Sequence, residues 1–345
     1  MVYKGIYKIF DSKIIKTYPL QKRINKTTLE DLVLPDNVKN IEIKLPEEIE
    51  KYIKLLAKDT IDAVRRHKPV VLFTGAHLIK NGLGPLLVDL IEKNILTLVA
   101  GNCATLIHDF EIGLIGQTSE YVPKALENGQ FGMSFEFNLI NMALSLGNEL
   151  FYGFGETIGR YICEKSFRDH VFGYFENKNF IKDFSYPEYS VVGSCFRNKI
   201  PFTAHVSIGT DVIDQHYTFN GCAKGGCSGR DFLIFVENIK EFFDGGVFLN
   251  IGSAVTGPEV LLKAISMVRN TGNKLRGIVF ADFDLRPSNK TAMKNDKSFY
   301  YYFRDQKSII TRIPEAFEGR KYYIEGNQKK TFVLFYKEIL KNLSN

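Results

Sequence analysis

The sequence lacks the cysteine patterns of a disulfide scaffold or a structural zinc site. Its five cysteines are odd in number and show neither CxxC pairing nor the spacing of zinc ligands. We therefore expect reduced thiols, most of them structural, and no metal centre.

Long apolar runs and concentrated basic regions are also missing. No apolar stretch approaches the length of a membrane span, and the opening MVYKGIYKIF has no long apolar signal core. The formal net charge of +6 is spread over 45 basic and 39 acidic residues, whereas nucleic-acid binding requires a concentrated basic face. These absences predict a soluble, cytoplasmic protein without nucleic-acid or membrane partners.

The chain has the length and apolar content for a large core, with 345 residues of which 45% are hydrophobic. Residues 1–60 carry many charged side chains and only short apolar alternations, which predicts an irregular N-terminal extension. Residues 61–345 are predicted to form a single domain.

Continuous apolar runs alternate with segments of helical periodicity from residue 45 onwards. The runs are typical of parallel strands that helices cover on both faces. They are PVVLFTG, ILTLVAGN, NKIPFTAHVSIGTD, GGVFLNIGSAV, LRGIVFADFD and RKYYIEG. This alternation predicts an α/β fold with a doubly wound, mainly parallel, Rossmann-like sheet. The glycine-rich segment 216–232 is predicted to be a flexible loop or lid between two elements.

Four loops are predicted to meet at one crevice, because ligands of open parallel sheets bind beyond the carboxyl ends of the strands. They are FTGAH (73–77), AGNCAT (100–105), SIGTD (207–211) and NIGSAVTG (250–257). No G-x-G-x-x-G or G-K-[ST] fingerprint is present. Glycine-rich turns are ordinary in such folds, but four together favour a dinucleotide site. Asp211 fits a ribose contact and a helix cap equally well.

The order and spacing of several segments resemble those of the deoxyhypusine synthase family over about residues 60–340. The resemblance rests on LFTGAHLIKNGLGPLLVDLIEKNILTLVAGN, NKIPFTAHVSIGTD, GGVFLNIGSAVTGPEV and KYYIEGNQKKTFVLF. It implies a Rossmann-like NAD-binding fold and a homo-oligomer, a dimer or tetramer with sites near its interfaces. It further implies a transferase that oxidises a polyamine with NAD and carries an aminoalkyl group through an imine on an enzyme lysine.

The resemblance also implies which residues contact the cofactor, NAD. They are Thr74, Gly75, Gly101, Asn102, Thr210 and Asp211, and the position of the fourth crevice loop adds Gly252 and Ser253 as cofactor candidates. The stretch VAGNCATLIHDFE is more similar to the NAD-binding domain associated with an ornithine cyclodeaminase, and this similarity adds Asp109. The histidines at 77, 108, 205 and 216 are each more typical of structural hydrogen bonding than of proton transfer.

The chain departs from the family at the chemical centre. GSAVTGPEV replaces the family's glycine pair and Val-Lys-His-His, so the histidine that assists hydride removal is missing, and neither Lys307 nor Lys321 has the setting of the imine-forming lysine. Glu259, Asp284 and Glu325 are the candidate catalytic acids, and Asp211, Asp284 and Glu325 are the candidates to hold a cationic amine. For Asp284, pairing with Arg286 or capping a turn explains the sequence as well, and for Glu325 a solvated role does.

These observations predict an NAD-dependent enzyme that acts on a small amine or amino-acid-like substrate by transient hydride transfer and imine formation. Two alternatives remain open at the level of sequence. One is a redox-neutral lyase like the ornithine cyclodeaminase, and the other is a non-catalytic NAD-binding scaffold.

Overall fold

The computed structural model describes residues 3–175, 181–289 and 291–344. Its strands, in chain order, are β1 (Asn25–Thr28), β2 (Val70–Thr74), β3 (Leu98–Asn102), β4 (Gln117–Glu120), β5 (Phe202–His205), β6 (Gly246–Ile251), β7 (Ile278–Asp284) and β8 (Arg320–Glu325). Six of them form one parallel sheet in the order β5-β3-β2-β6-β7-β8, while β1 and β4 pair antiparallel in a separate ribbon. The six-stranded order is that of a dinucleotide-binding Rossmann sheet.

The helices are α1 (Glu47–Arg65), α2 (His77–Lys80), α3 (Gly84–Glu92), α4 (Cys103–Ile115), α5 (Val122–Glu127), α6 (Phe137–Glu149), α7 (Phe154–Cys163), α8 (Lys165–Gly173), α9 (Val191–Arg197), α10 (Gly221–Lys240), α11 (Thr256–Asn270), α12 (Ile313–Ala316) and α13 (Gln328–Leu343). A π-helix spans Gln306–Arg312. Within the described ranges, no helix combines the length and apolar character needed to cross a membrane.

Helices cover both faces of the sheet, which is why its strands are continuous apolar runs. All five residues of β2 are buried. Val70 and Leu72 pack into the core on the side of α1, α3 and α13, and Val71 and Phe73 into the core on the side of α10 and α11. The doubly wound α/β prediction is confirmed by this two-layer cover.

The prediction of a flexible loop over 216–232 is wrong, because α10 begins at Gly221. Asn220 caps the helix by accepting a hydrogen bond from the Ala223 backbone N–H at 3.1 Å. A Cβ on Gly226 would lie 2.3 Å from Asn148 Oδ1, so this glycine lets α10 pack closely on α6. Tertiary packing therefore outweighs the low helix propensity of glycine.

The N-terminal part of the chain is irregular up to α1. Residues 3–46 form short 3₁₀ turns and β1, which pairs with β4. The predicted boundary at residue 60 falls inside α1, whose buried Ile53, Leu56 and Ile61 belong to the main core. The main core therefore includes α1, together with Leu20 and Val38 from the irregular N-terminal part.

Candidate functional site

The carboxyl edge of the sheet contains a point where the chain reverses its direction of winding. β2 and β6 are neighbours there, and Thr74 pairs with Ile251 at their ends. The chain runs from β2 outwards to β3 and β5, and from β6 in the opposite direction to β7 and β8. Such a point is where open α/β sheets bind ligands.

The loops after β2 and β6 touch each other through their backbones. The Gly75 N–H donates to Ile251 O at 3.0 Å, and Thr74 Oγ1 donates to Gly75 O at 2.8 Å. A Cβ on Gly75 would lie 2.3 Å from Gly252 O, and Gly252 has a φ of +63°. The glycines at 75 and 252 are therefore required for the packing of these two loops.

Ser253 and its neighbours fix the start of α11. Ser253 Oγ accepts from the Gly257 N–H at 2.9 Å, and Ser253 O accepts from Asn250 Nδ2 at 2.9 Å. The Ser253 side chain is thus already engaged in orienting the loop after β6.

Asn102, at the end of β3, is the N-cap of α4. Its Oδ1 accepts from the Thr105 N–H and from Thr105 Oγ1, both at 2.9 Å. Gly101 lies tightly against the Thr105 side chain, 3.1 Å from where its Cβ would be. The first turn of α4 points its N–H groups and the positive end of its dipole toward the crevice side of β3.

A cavity of about 270 Å³ lies along one side of α4, from Ala104 in its first turn to Glu111. Ala104 and His108 of α4 form one wall, Thr210 and Asp211 from the loop after β5 form another, and Arg23 comes from the N-terminal segment. The structure thus brings Thr210 and Asp211 next to α4. These three parts of the wall lie far apart in sequence.

Buried charges line the far side of the cavity. Arg23 and Glu111 form an ion pair of 2.6 Å with side chains only 3% and 1% exposed. His108 Nδ1 lies 2.7 Å from Thr118 Oγ1 and 3.3 Å from Glu111 Oε2. Burial would raise the pKa of Glu111, but Arg23 and His108 reverse this effect and lower it to about 2. The carboxylate of Glu111 is therefore ionised and fully partnered.

The loop after β5 is held by a buried lysine of α10. Lys224 Nζ lies 2.7 Å from Asp211 Oδ2, 2.6 Å from Asp214 Oδ1 and 2.8 Å from Ser207 O. The Lys224 side chain is 1% exposed. Burial raises the pKa of Asp211 although Lys224 and other groups oppose the change. Asp211 also precedes the 3₁₀ turn Val212–Gln215 as its N-cap. Capping is one of the two roles that the sequence predicts for Asp211, the other being a ribose contact.

Of the predicted site residues, only Thr210 and Asp211 line this cavity. Asp109 of α4 is buried. It accepts hydrogen bonds from Ser190 Oγ at 2.5 Å and from the Val191 N–H at 2.7 Å, and so fixes the start of α9. Burial raises its pKa to about 6. Glu325 ends β8 opposite Asp284 and is exposed.

A second polar group, here called the acidic cluster, lies at the ends of β7 and β8. It comprises Asp282, Asp284, Asp305 and Arg286. Arg286 pairs with both Asp284 and Asp305, with Arg286 Nε 2.6 Å from Asp284 Oδ2. Asp282 is fully buried and accepts from Asn250 Nδ2 at 2.8 Å, but its Oδ2 has no hydrogen-bond partner among the described residues.

The pKa values of the acids in this cluster are shifted in different directions. Burial raises the pKa of Asp305 to about 7 despite Arg286, and burial together with Asp305 raises the pKa of Asp282 well above its usual range. For Asp284, the bonds from Arg286 overcome burial and lower the pKa. Arg286 thus pairs with two of the three carboxyl groups, those of Asp284 and Asp305, whereas Asp282 is held by Asn250.

Lys307 lies two residues after Asp305, on the π-helix. The residue is 3% exposed, and its Nζ lies 3.5 Å from the centroid of the Tyr301 ring. Burial and then the cations Arg312 and Arg304 lower its pKa. Glu259, on the first turn of α11, pairs with Lys263 and lies 3.7 Å from Arg304.

Sequence reasoning missed Arg23, Asp282, Asp305 and the setting of Lys307. Their environments depend on contacts between distant segments, and a π-helix has no signal in the residue spacing. In the described part of the chain, no group of three or more His, Cys, Asp or Glu side chains is arranged to hold a metal ion.

No protein-family model and no curated protein matches the chain. Among solved structures it is similar to ArgZ, an arginine dihydrolase of the ornithine-ammonia cycle in Cyanobacteria, with 14% identity over 87% of this chain and 34% of that one and a TM-score of 0.48. AgrE in a ternary complex with ornithine and NAD+ shares 15% identity over 88% and 34% of the two chains, with a TM-score of 0.43. A protein of Entamoeba histolytica described as a candidate deoxyhypusine synthase shares 9% identity over 95% and 97%, with a TM-score of 0.39.

The chain spans about a third of the length of ArgZ and AgrE. Identities of 9–15% at these TM-scores do not place it in a family. The strand order of the sheet itself defines the class, which is a Rossmann-like α/β protein.

Proposed function

We propose that the protein is an NAD-dependent enzyme that oxidises the amine-bearing carbon of a small amine or amino-acid-like substrate through an imine. The observation that carries the proposal is the buried acidic cluster at the carboxyl end of β7, in a sheet with Rossmann strand order, with the buried Lys307 two residues further along the chain than Asp305. The resemblance in sequence to deoxyhypusine synthases favours the same chemistry.

The residues around α4 fit one part of a dinucleotide. Ala104 places the first turn of α4 at the cavity, where its free N–H groups would meet a phosphate, and Thr210 and Asp211 form another wall of the same cavity. At about 270 Å³ the cavity is slightly smaller than the roughly 300–1,000 Å³ of sites for drug-sized ligands. It would therefore take the adenosine part, with the rest of NAD lying across the ends of β2 and β6.

The acidic cluster fits the cationic end of an amine. Asp282 Oδ2 and Asn250 Oδ1 are buried acceptors without a partner among the described residues, so the site has acceptors that an ammonium group would satisfy. The pKa values of Asp282 and Asp305 are raised in the protein without a ligand. A bound ammonium group would stabilise the ionised forms of both acids, which favours an amine site here.

Lys307 fits the role of an amine nucleophile. Its lowered pKa leaves a larger fraction of the side chain as the free amine, the form that attacks an imine carbon. Bound NAD+ would supply the hydride acceptor. Lys307 would then take over the imine by displacing the original amine, and Asp282 or Asp305 would hold the departing amine as its cation.

Borohydride trapping tests this proposal. The protein is incubated with NAD+ and either spermidine or ornithine, reduced with borohydride and digested, and the peptides are analysed by mass spectrometry. We expect an added mass on the peptide that contains Lys307. The label should be absent in Lys307→Met and still present in the control variant Lys321→Met, since Lys321 is a different lysine, 31% exposed.

Labelling of no lysine by any amine in a broader panel would refute the imine step. Ammonia release without a trapped lysine or net NADH would favour the redox-neutral lyase. NAD binding without turnover would favour the scaffold. Sedimentation velocity tests the expected dimer or tetramer, which remains a prediction.

A further inference from the structure

The excess positive charge of the chain lies in its first residues. Residues 3–28 contain seven basic side chains and one acidic side chain, a formal charge of +6 that equals the charge of the whole chain. Arg23 is buried and paired with Glu111. The other six are all exposed lysines, namely Lys4, Lys8, Lys13, Lys16, Lys22 and Lys26. Acidic and basic residues balance in the rest of the chain, so its net positive charge comes from this segment.

Residues 3–16, here called the N-terminal arm, also expose large apolar side chains. Ile6 is 90% exposed and Tyr7 is 76% exposed, and the same holds to a lesser degree for Tyr3, Ile9, Phe10 and Ile14. In the described part of the chain, no hydrogen bond joins the arm to a later residue, and none of its apolar side chains belongs to a core. Segments that remain free in water are poor in bulky apolar residues, so the arm has the composition of a segment that binds an external partner.

An apolar patch lies on the body of the protein where the arm begins. Tyr18 attaches the arm to this region, since its Oη lies 2.9 Å from Glu120 Oε1 and 3.2 Å from Gln130 O. The patch consists of four side chains that are 37–65% exposed, Ile24, Tyr121, Val122 and Leu126. Lys22 and Lys26 flank it, and α5 adds one exposed residue of each sign, Lys124 and Glu127. The arm and the patch therefore combine exposed apolar groups with an excess of lysine.

This combination fits the surface of a bilayer that contains anionic lipid. Apolar side chains enter the boundary between headgroups and acyl chains, and lysines are attracted to the anionic headgroups. A second copy of the chain would instead place like charges against each other. Nucleic acid is bound largely through arginine and through stacking on aromatic rings, whereas the arm contains four isoleucines and no arginine.

We propose that the N-terminal arm and the apolar patch bind the surface of an anionic phospholipid bilayer. This interaction goes beyond the proposed function and does not depend on it. The sequence-based expectation of no membrane partner rests on the absence of a spanning run and on the charge of the whole chain. It does not take into account where along the chain the charge lies.

Vesicle co-sedimentation tests the proposal. The protein is mixed in about 0.1 M salt with vesicles of phosphatidylcholine alone, or of phosphatidylcholine with about 30% phosphatidylserine. We expect binding to the anionic vesicles only. In about 1 M salt the binding should weaken at least about tenfold, because screening shortens the reach of the lysine charges to about 3 Å.

Neutralising the lysines of the arm should weaken binding at least about a hundredfold, because each basic residue near an anionic surface strengthens binding about fivefold. This variant combines Lys4→Gln, Lys8→Gln, Lys13→Gln and Lys16→Gln. The matched control makes the same charge change at exposed lysines of α1 and α13, with Lys51→Gln, Lys58→Gln, Lys329→Gln and Lys330→Gln. The control should bind like the native protein.

Removing apolar groups from the arm should also weaken binding, at least about tenfold, although every lysine is kept. This variant combines Ile6→Ser, Ile9→Ser and Phe10→Ser. Both arm variants should unfold at the native midpoint in urea, because the arm belongs to neither core.

A fluorescent reporter gives a second readout. The chain contains no tryptophan, so Phe10→Trp introduces a single one in the arm. Its emission should shift to the blue with anionic vesicles, as the ring leaves water. Phe151→Trp, at a position that is 80% exposed after the end of α6, is the control and should show no shift.

Several outcomes would overturn the proposal. They are binding to neither kind of vesicle, equal binding to both kinds, and equal binding by the native protein and the arm variants. Self-association that needs the arm and no vesicles would show that a second copy is the partner. Binding of an RNA oligonucleotide that needs the arm, without vesicle binding, would show that nucleic acid is the partner.

Discussion

Replacing Lys224 by methionine should destabilise the fold strongly and in a pH-dependent way. The substitution keeps most of the side-chain volume in α10 but removes the ammonium group that joins Asp211, Asp214 and Ser207 O. Two carboxylates would then face each other in a largely buried space, with side chains only 10% and 5% exposed.

The size of the effect follows from burial. Breaking a buried ion pair by removing one partner costs about 3–5 kcal/mol, because the remaining charge is left without compensation. The pKa of Asp211 is already raised by burial, and it should rise further without Lys224. The loss should therefore be largest near pH 8 and decrease toward pH 5, where protonation removes the repulsion between the two acids.

Urea unfolding followed by circular dichroism at the two pH values measures this loss. Lys240→Met is the matched control, since Lys240 lies on the same helix in an exposed ion pair of 3.0 Å that should contribute less than about 1 kcal/mol. The combination of Lys224→Met with Asp211→Asn and Asp214→Asn should recover much of the stability. A loss below about 1 kcal/mol for Lys224→Met, or one that does not change with pH, would refute the reasoning.

Further predictions concern Asp231 and Gly75. Burial raises the pKa of Asp231 from 3.8 to about 7, so its contribution to stability is fully present below the lower value and lost as pH rises through the higher one. Asp231→Asn should therefore gain roughly 1–3 kcal/mol relative to the native protein between pH 5 and 8 in urea unfolding, and an unchanged difference would contradict this. Gly75→Ala should cost about 1–3 kcal/mol, because its Cβ would lie 2.3 Å from Gly252 O, whereas Gly225→Ala, with open space around it, should cost nothing. Equal unfolding midpoints for the two alanine variants would argue against the close approach.

The sheet could be predicted from sequence because each strand is a local apolar run. β2 and β6 are buried along their whole length, and burial on both faces requires such runs. The start of α10 could not be predicted in the same way. Its glycines are poor helix formers, and only the packing against Asn148 explains Gly226.

The candidate site was predictable only in its loops. Thr210 and Asp211 were found from the position of a turn after a strand, and the structure places both in the cavity wall. Arg23 could not be found, because its partner Glu111 lies 88 positions along the chain in another element. Asp109 was predicted as a cofactor contact because of a motif resemblance. In the structure, its carboxylate accepts hydrogen bonds from three donors at the start of α9.

The central claim is that a nicotinamide dinucleotide binds at the carboxyl edge of the sheet with its adenosine part beside α4. Calorimetric titration of NAD+ and NADP+ into the native protein and into Ala104→Trp tests it most directly, since the new ring would fill the cavity without removing a hydrogen bond. Ser266→Trp, at an exposed position of α11, is the control. We predict binding to the native protein and the control, and loss of binding in Ala104→Trp. Equal binding by all three proteins, or binding by none, would contradict the claim.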